Sequence, residues 1–175
     1  MWDQAWEPSQ QAFIAKAVSS SNAKFIDVGA AVGVYTLMCA SLGVKVVAIE
    51  PGKEIFDELK ENIELNLNFK NSVESVNGFV VSKHDESRKL GGAAQKSSMI
   101  SFEEKLVYLE DFLSENNVIK MDIEGAEWAL LQDKEFLVEL EKHQFLFFLS
   151  VHIGFHNFDW NTGVEKTRYR LGVIK

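Results

Sequence analysis

The residues able to do chemistry in this chain stand where short apolar runs end. Phe25-Ile26-Asp27-Val28 leads into Gly29-Ala30-Ala31-Val32-Gly33, a G-x-x-x-G turn with an acid two residues before its first glycine. Glycines at such a turn let backbone approach a ligand and let the next helix pack on its strand. A dinucleotide fingerprint would read G-x-G-x-x-G with a helix N-terminus aimed at a pyrophosphate, and here Ala31 takes the place of the middle glycine. An acid-bearing turn suits a nucleoside that carries an ammonium and a sulfonium instead of phosphates, because opposite charges attract in a partly desolvated cleft. Glu50 closes the next apolar run, just before Pro51, where a carboxylate can accept hydrogen bonds from both hydroxyls of a ribose. Each feature also has a plain structural reading: a tight turn for the glycines, a helix-capping acid for Glu50. Together they fit an adenosine-containing cofactor better than either does alone.

The elements that must position these residues alternate. Phe25 to Val28 reads as a buried parallel strand, and Val32, Tyr35, Cys39 and Leu42 then recur at helical spacing. Val44 to Ile49 is a second buried strand, followed by Ile55, Leu59, Ile63 and Leu67 on one expected helical face. Val73 to Ser82 reads as a third strand, Tyr108 to Leu113 as a short helix and Val118 to Ile123 as a fourth strand running into Glu124-Gly125. Glu127, Trp128, Leu130 and Leu131 continue as helix, Phe136 to Leu140 extends or restarts it, and Phe145 to Ile153 is aromatic and aliphatic enough for a fifth, central strand. Such alternation predicts an α/β fold, a mainly parallel sheet with helices on both faces, which places ligands at the carboxyl ends of its strands.

Composition limits the function classes. The chain has 175 residues, 46% of them hydrophobic, enough for one domain with a real core. Its 18 basic against 26 acidic residues give a formal charge of −8, which disfavours nucleic acid as a partner. The single cysteine, Cys39, lies in an apolar stretch and reads as a core residue of a reducing compartment. MWDQAWEPSQ has no secretory signal character, so a cytoplasmic protein is expected. The uncharged run Val28 to Val44 falls short of a bilayer span and is rich in small residues, so a buried strand, turn and helix explains it better than a membrane helix.

FIDVGAAVGVYT, AIEPGKEIFDELKENIELN and VIKMDIEGAEWALL resemble successive motifs of the FkbM-type family of class I S-adenosylmethionine-dependent methyltransferases. The resemblance covers roughly Phe25 to Ile153, and the third motif is the most family-specific. It implies a Rossmann-like class I methyltransferase fold in a single domain spanning 1–175. Within it, 1–23 is an N-terminal helical or lid segment, 24–153 the cofactor-binding core and 154–175 the C-terminal part. It further implies that Asp27, Gly29 and Gly33 surround the methionine part of S-adenosylmethionine and that Tyr35 and Thr36 line the helix behind it. Glu50 would hold the ribose, Asn77 and Gly78 would lie on the adenine side, and Asp122 would stand beside the methyl group. The family often has Asn at the position of Ala31. Residues 154–175 are too few for the helix and two closing strands that usually complete this sheet. This predicts a truncated or minimal version whose hydrophobic edge is covered by another copy of the chain or by nothing.

The expected activity is O-methylation of a small molecule or glycan. Displacement at a sulfonium mostly needs positioning and exclusion of water, but an alcohol acceptor also needs a base. Strand-end geometry offers Asp122, Glu124 and His152, with Asp122 favoured for positioning and His152 as proton acceptor. His156 is expected to face substrate or solvent. Glu124 and Glu127 have a plain reading as helix-start acids. Asp122, Glu124 and His152 also have the chemistry of a cation site, but no metal is expected. Trp2, Trp6 and Phe13 are expected to form a lid or cap the core, and Arg168 and Arg170 to bind an anion or to be solvated. The rival functions are a NAD-dependent oxidoreductase and a non-catalytic binding or scaffold protein.

Overall fold

The computed structural model describes residues 8–20, 23–84, 105–114, 116–123, 126–143 and 145–150. Five parallel strands form the main sheet: β1 (Lys24–Val28), β2 (Lys45–Glu50), β3 (Val73–Asn77), β6 (Asn117–Met121) and β7 (Phe145–Leu149), in the order β3-β2-β1-β6-β7. Two short strands, β4 (Phe79–Val81) and β5 (Leu106–Tyr108), pair with each other in parallel. The helices are α1 (Pro8–Ser20), α2 (Val34–Ser41), α3 (Lys53–Leu65), α4 (Glu127–Gln132) and α5 (Lys134–Glu141).

Alternate residues of each strand point to opposite faces, and both faces are covered. Ile26, Val28, Val47, Ile49, Ile119 and Met121 pack against Leu130, Phe136 and Leu140 of α4 and α5. On the other face Phe25, Val46 and Val118 meet Ile14 and Val18 of α1 and Tyr35, Cys39 and Ala40 of α2, while Ala48 meets Phe56, Leu59 and Ile63 of α3. Asp27, Glu50 and Lys120 occupy this second face by the same alternation. The strand order runs outward one way through β2 and β3 and the other way through β6 and β7. In open α/β sheets the crevice at such a reversal is where ligands bind, here at the carboxyl ends of β1 and β6.

Several sequence expectations shift. The third strand breaks at Gly78 into β3 and β4, because β4 leaves the main sheet to pair with β5. The buried face of α3 is Phe56, Leu59 and Ile63, while Ile55 is exposed and Leu67 lies beyond the helix. A strict repeat of four drifts about 40° per step around a helix of 3.6 residues per turn, so the row 55, 59, 63, 67 cannot stay on one face. Leu106–Tyr108 is a strand, and only Leu109–Phe112 forms a 3-10 turn. Strand β7 is the outermost on its side among the described residues, and β1 is central. The uncharged Val28 to Val44 run becomes a strand end, a turn and α2, and no helix among the described residues is long and apolar enough to cross a membrane. Phe13 is 57% exposed and meets the ring of Phe148 on β7 edge-on, with centroids 5.0 Å apart.

Candidate functional site

The turn after β1 is pinned from both sides. Gly29 and Ala30 donate their N–H groups to the Ile49 carbonyl at 2.9 and 3.0 Å, and Asp122 N–H donates to the Val28 carbonyl at 3.0 Å. This geometry needs left-handed backbone at three alternate positions: Gly29 (φ 76°), Ala31 (φ 49°) and Gly33 (φ 96°). The protein itself demands the glycines. A Cβ on Gly29 would lie 1.9 Å from the Asp122 carbonyl oxygen, and one on Gly33 would lie 2.6 Å from Leu59 Cδ1. Ala31 adopts the same region with a side chain, at a cost of about 1–2 kcal/mol. Its side chain is exposed, and so is that of Val32, so the outer rim of the turn is open to solvent.

Glu50 reaches back from the end of β2 to that turn. Its Oε2 accepts from Ala31 N–H at 3.0 Å and its Oε1 from Gly52 N–H at 2.8 Å, with the residue 6% exposed. Burial pushes its carboxyl above the ordinary glutamate range, and the Gly52 and Ala31 N–H groups pull it partly back. Each carboxylate oxygen has a second lone pair, so the group can hold the turn and still accept from a ligand's hydroxyls.

Asp27 lies beneath the turn and is wholly buried. Its Oδ2 accepts from the Thr36 hydroxyl at 2.7 Å, and its Oδ1 lies 3.6 Å from Lys120 Nζ. Burial raises its carboxyl above the ordinary range, and Lys120 opposes that shift. Asp27 therefore ties α2 to the turn from below, and Thr36 is its hydrogen-bond partner in doing so. Tyr35 presents its ring to Lys120, with Nζ 5.1 Å from the centroid. Lys120 was not singled out from the sequence. The signal was a lone cation within the apolar strand Val118-Ile119-Lys120-Met121, which must find a partner once buried.

Asp122 follows β6 at the crevice, with a side chain 25% exposed and Oδ2 4.0 Å from Lys120 Nζ. Asn77 donates to the Glu50 and Pro51 carbonyls at 2.8 and 3.0 Å, so it braces the end of β2 from β3. Gly78 serves packing: a Cβ there would lie 2.3 Å from Val107 Cγ2 and 2.6 Å from the Lys105 carbonyl oxygen. Glu127 is fully buried and its Oε1 accepts from Ile123 N–H at 2.8 Å, so it holds the loop after β6 in shape. Glu124, His152, His156, Arg168, Arg170, Trp2 and Trp6 lie outside the described residues. Among the described residues no group of three His, Cys, Asp or Glu side chains is arranged to hold a metal ion.

Parallel strands in this order, with a pinned turn after the first and a buried acid ending the second, define a Rossmann-like methyltransferase fold. The chain matches the Methyltransferase FkbM domain over residues 27–169 and belongs to that family. Its structure is similar to an FkbM methyltransferase from Methylobacillus flagellatus, at 21% identity and TM-score 0.56, covering 87% of this chain and 38% of that one. It is also similar to the bifunctional kinase-methyltransferase WbdD, at 15% identity and TM-score 0.55, covering 92% of this chain and 33% of that one. A likeness to an O-methyltransferase from Bacillus cereus in complex with SAH (18% identity, TM-score 0.48, 81% and 55% coverage) is too loose to bear on this chain. At these identities the solved structures speak for the fold alone, and this chain spans about a third to a little over half of their lengths. No curated protein matches the chain significantly.

Proposed function

We propose that this chain binds S-adenosylmethionine at the carboxyl ends of β1, β2 and β6 and methylates a hydroxyl oxygen of a small molecule or glycan. The observation that carries the binding half is Glu50, a buried carboxylate aimed at the glycine turn and hydrogen-bonded to its Ala31 N–H. That placement suits a ribose lying over the turn beside the acid, its hydroxyls on the lone pairs that Ala31 and Gly52 leave free, with the exposed side chains of Ala31 and Val32 at the rim. Residues and cofactor fit: Glu50 would accept from the ribose hydroxyls, the turn would carry the nucleoside, and Asn77 fixes the strand end from which Glu50 projects.

When bound, S-adenosylmethionine supplies an electrophilic methyl group, and the electronic chemistry is its own. The chain's task is to align the acceptor and exclude water. Asp122, beside the turn and partly open to the crevice, is the residue we assign to orienting an acceptor hydroxyl. His152 and Glu124 are the proposed partners in taking its proton, His152 being the better acceptor near neutral pH.

Calorimetry with S-adenosylhomocysteine tests the cofactor, and product formation across a panel of small-molecule and glycan acceptors tests the reaction. Binding of NAD in place of S-adenosylhomocysteine would return the oxidoreductase reading. Cofactor binding with no product from any acceptor would favour a non-catalytic protein. Asp122→Asn should lower turnover more than cofactor affinity, since its work is on the acceptor. Equal losses in both would make it a cofactor contact.

A further inference from the structure

The methyl-transfer chemistry makes no use of Lys120, yet its side chain is 5% exposed in the middle of a core strand. Lys120 and Asp27 are register partners on neighbouring strands, so both rise from the same face of the sheet. Nζ lies 3.6 Å from Asp27 Oδ1 and 4.0 Å from Asp122 Oδ2, with the Tyr35 ring beside it. Asp27 is the nearer of the two, and neither distance is as short as the roughly 2.7–2.9 Å of a charge-assisted hydrogen bond. The ammonium instead stands between two carboxylates. Asp27 is anchored to α2 through Thr36, so a continuous set of groups runs from α2, under the turn, to the open end of β6. A buried Asp–Lys pair is also weak support for a fold, since apolar replacement of such pairs is often neutral or better.

We propose that Lys120 is a positioning residue: shared between Asp27 and Asp122, it holds the Asp122 carboxylate toward the transferred methyl group and ties it to the turn that carries the cofactor. This rests on the methyl-transfer reading. The probe is sinefungin, in which an amine-bearing carbon replaces the methyl sulfonium, compared by calorimetry with S-adenosylhomocysteine, which is neutral at that place. The ratio of the two affinities, not either alone, is the readout. A well-placed Asp122 gives the wild-type chain a several-fold preference for sinefungin.

Lys120→Met alone strands Asp27 without its cation, so the informative variant is Asp27→Asn/Lys120→Met, which removes both charges and leaves their sum unchanged. Its amide oxygen can still accept from Thr36. The double variant should lose the sinefungin preference, and Lys120→Arg should keep most of it. Should the double variant unfold, Lys120→Gln, which keeps a donor to Asp27, gives the same reading. There, loss of positive charge by itself would raise the preference for a cationic ligand, so a fall reports a displaced carboxylate. A preference that persists in these variants, or a wild-type chain that binds both ligands equally, overturns the role of Lys120. A wild-type chain that binds neither ligand refutes the methyl-transfer reading itself, and the Lys120 role with it.

Discussion

At Glu50 two demands meet in one side chain. Its oxygens brace the turn and the start of α3, and the proposed ribose must share them. Glu50→Ala should weaken S-adenosylhomocysteine binding by about tenfold or more, the equivalent of about 1.5–3 kcal/mol for a charged hydrogen-bond pair. Unchanged affinity by calorimetry would remove Glu50 from the site. Its raised carboxyl also has a stability consequence. In the unfolded chain Glu50 ionises near its ordinary value of 4.5, while the folded state holds its proton to higher pH. Stability attached to this group is therefore full below that value and is lost as pH rises through the folded-state pKa. Melting temperature followed from pH 4.5 upward should fall less steeply in Glu50→Gln than in the wild type, and parallel curves would contradict the assignment. Ala31 makes a simpler case. Its φ of 49° carries strain that glycine would relieve, so Ala31→Gly should stabilise the chain by about 0.5–1 kcal/mol in denaturant unfolding. A loss of stability there would mean that the turn's left-handed backbone is misassigned.

Among the elements, α3 shows how far periodicity alone can go. Its existence follows from apolar spacing after Pro51, but that spacing runs on to Leu67, beyond the helix, and the choice of buried face required the sheet, because Ala48 and Ala30 leave room for Phe56 and Leu59. Leu59→Ala should cost about 2–5 kcal/mol, whereas Ile55→Ala, on the exposed side, should stay within about 0.5 kcal/mol. Similar losses at both positions would show that the helix is rotated from the face described. The break between β3 and β4 is likewise a packing event. Gly78→Ala forces a Cβ against Val107 and the Lys105 carbonyl and should destabilise the chain by about 1–3 kcal/mol. A neutral effect in denaturant unfolding would mean that β5 does not press on this strand end.

For the molecule as a whole, the reversal of strand order between β1 and β6 brings the turn, Glu50 and Asp122 to one end of the sheet. A ligand seated there binds only the folded state. S-adenosylhomocysteine at about a hundred times its dissociation constant should therefore raise the unfolding free energy by about 2.7 kcal/mol. At the same concentration the Glu50→Ala chain should gain much less, and an equal gain would place the ligand elsewhere.

The sequence by itself determined the parallel α/β architecture, the β1 turn and the Glu50 strand end, because fully buried strands announce themselves as short apolar runs and ligand-facing residues stand where those runs stop. It also carried the family, through three motifs that a linear string preserves. Only the tertiary structure decided what the glycines are for, since Gly29, Gly33 and Gly78 each make room for atoms distant in sequence: the Asp122 carbonyl, Leu59 and Val107. The same holds for the company Asp27 keeps. Lys120 lies on a different strand, and nothing in their spacing along the chain says that the two are register partners on one face. That is settled by the hydrogen-bonded pairing of β1 with β6, a contact between segments that meet only when the sheet closes over its core.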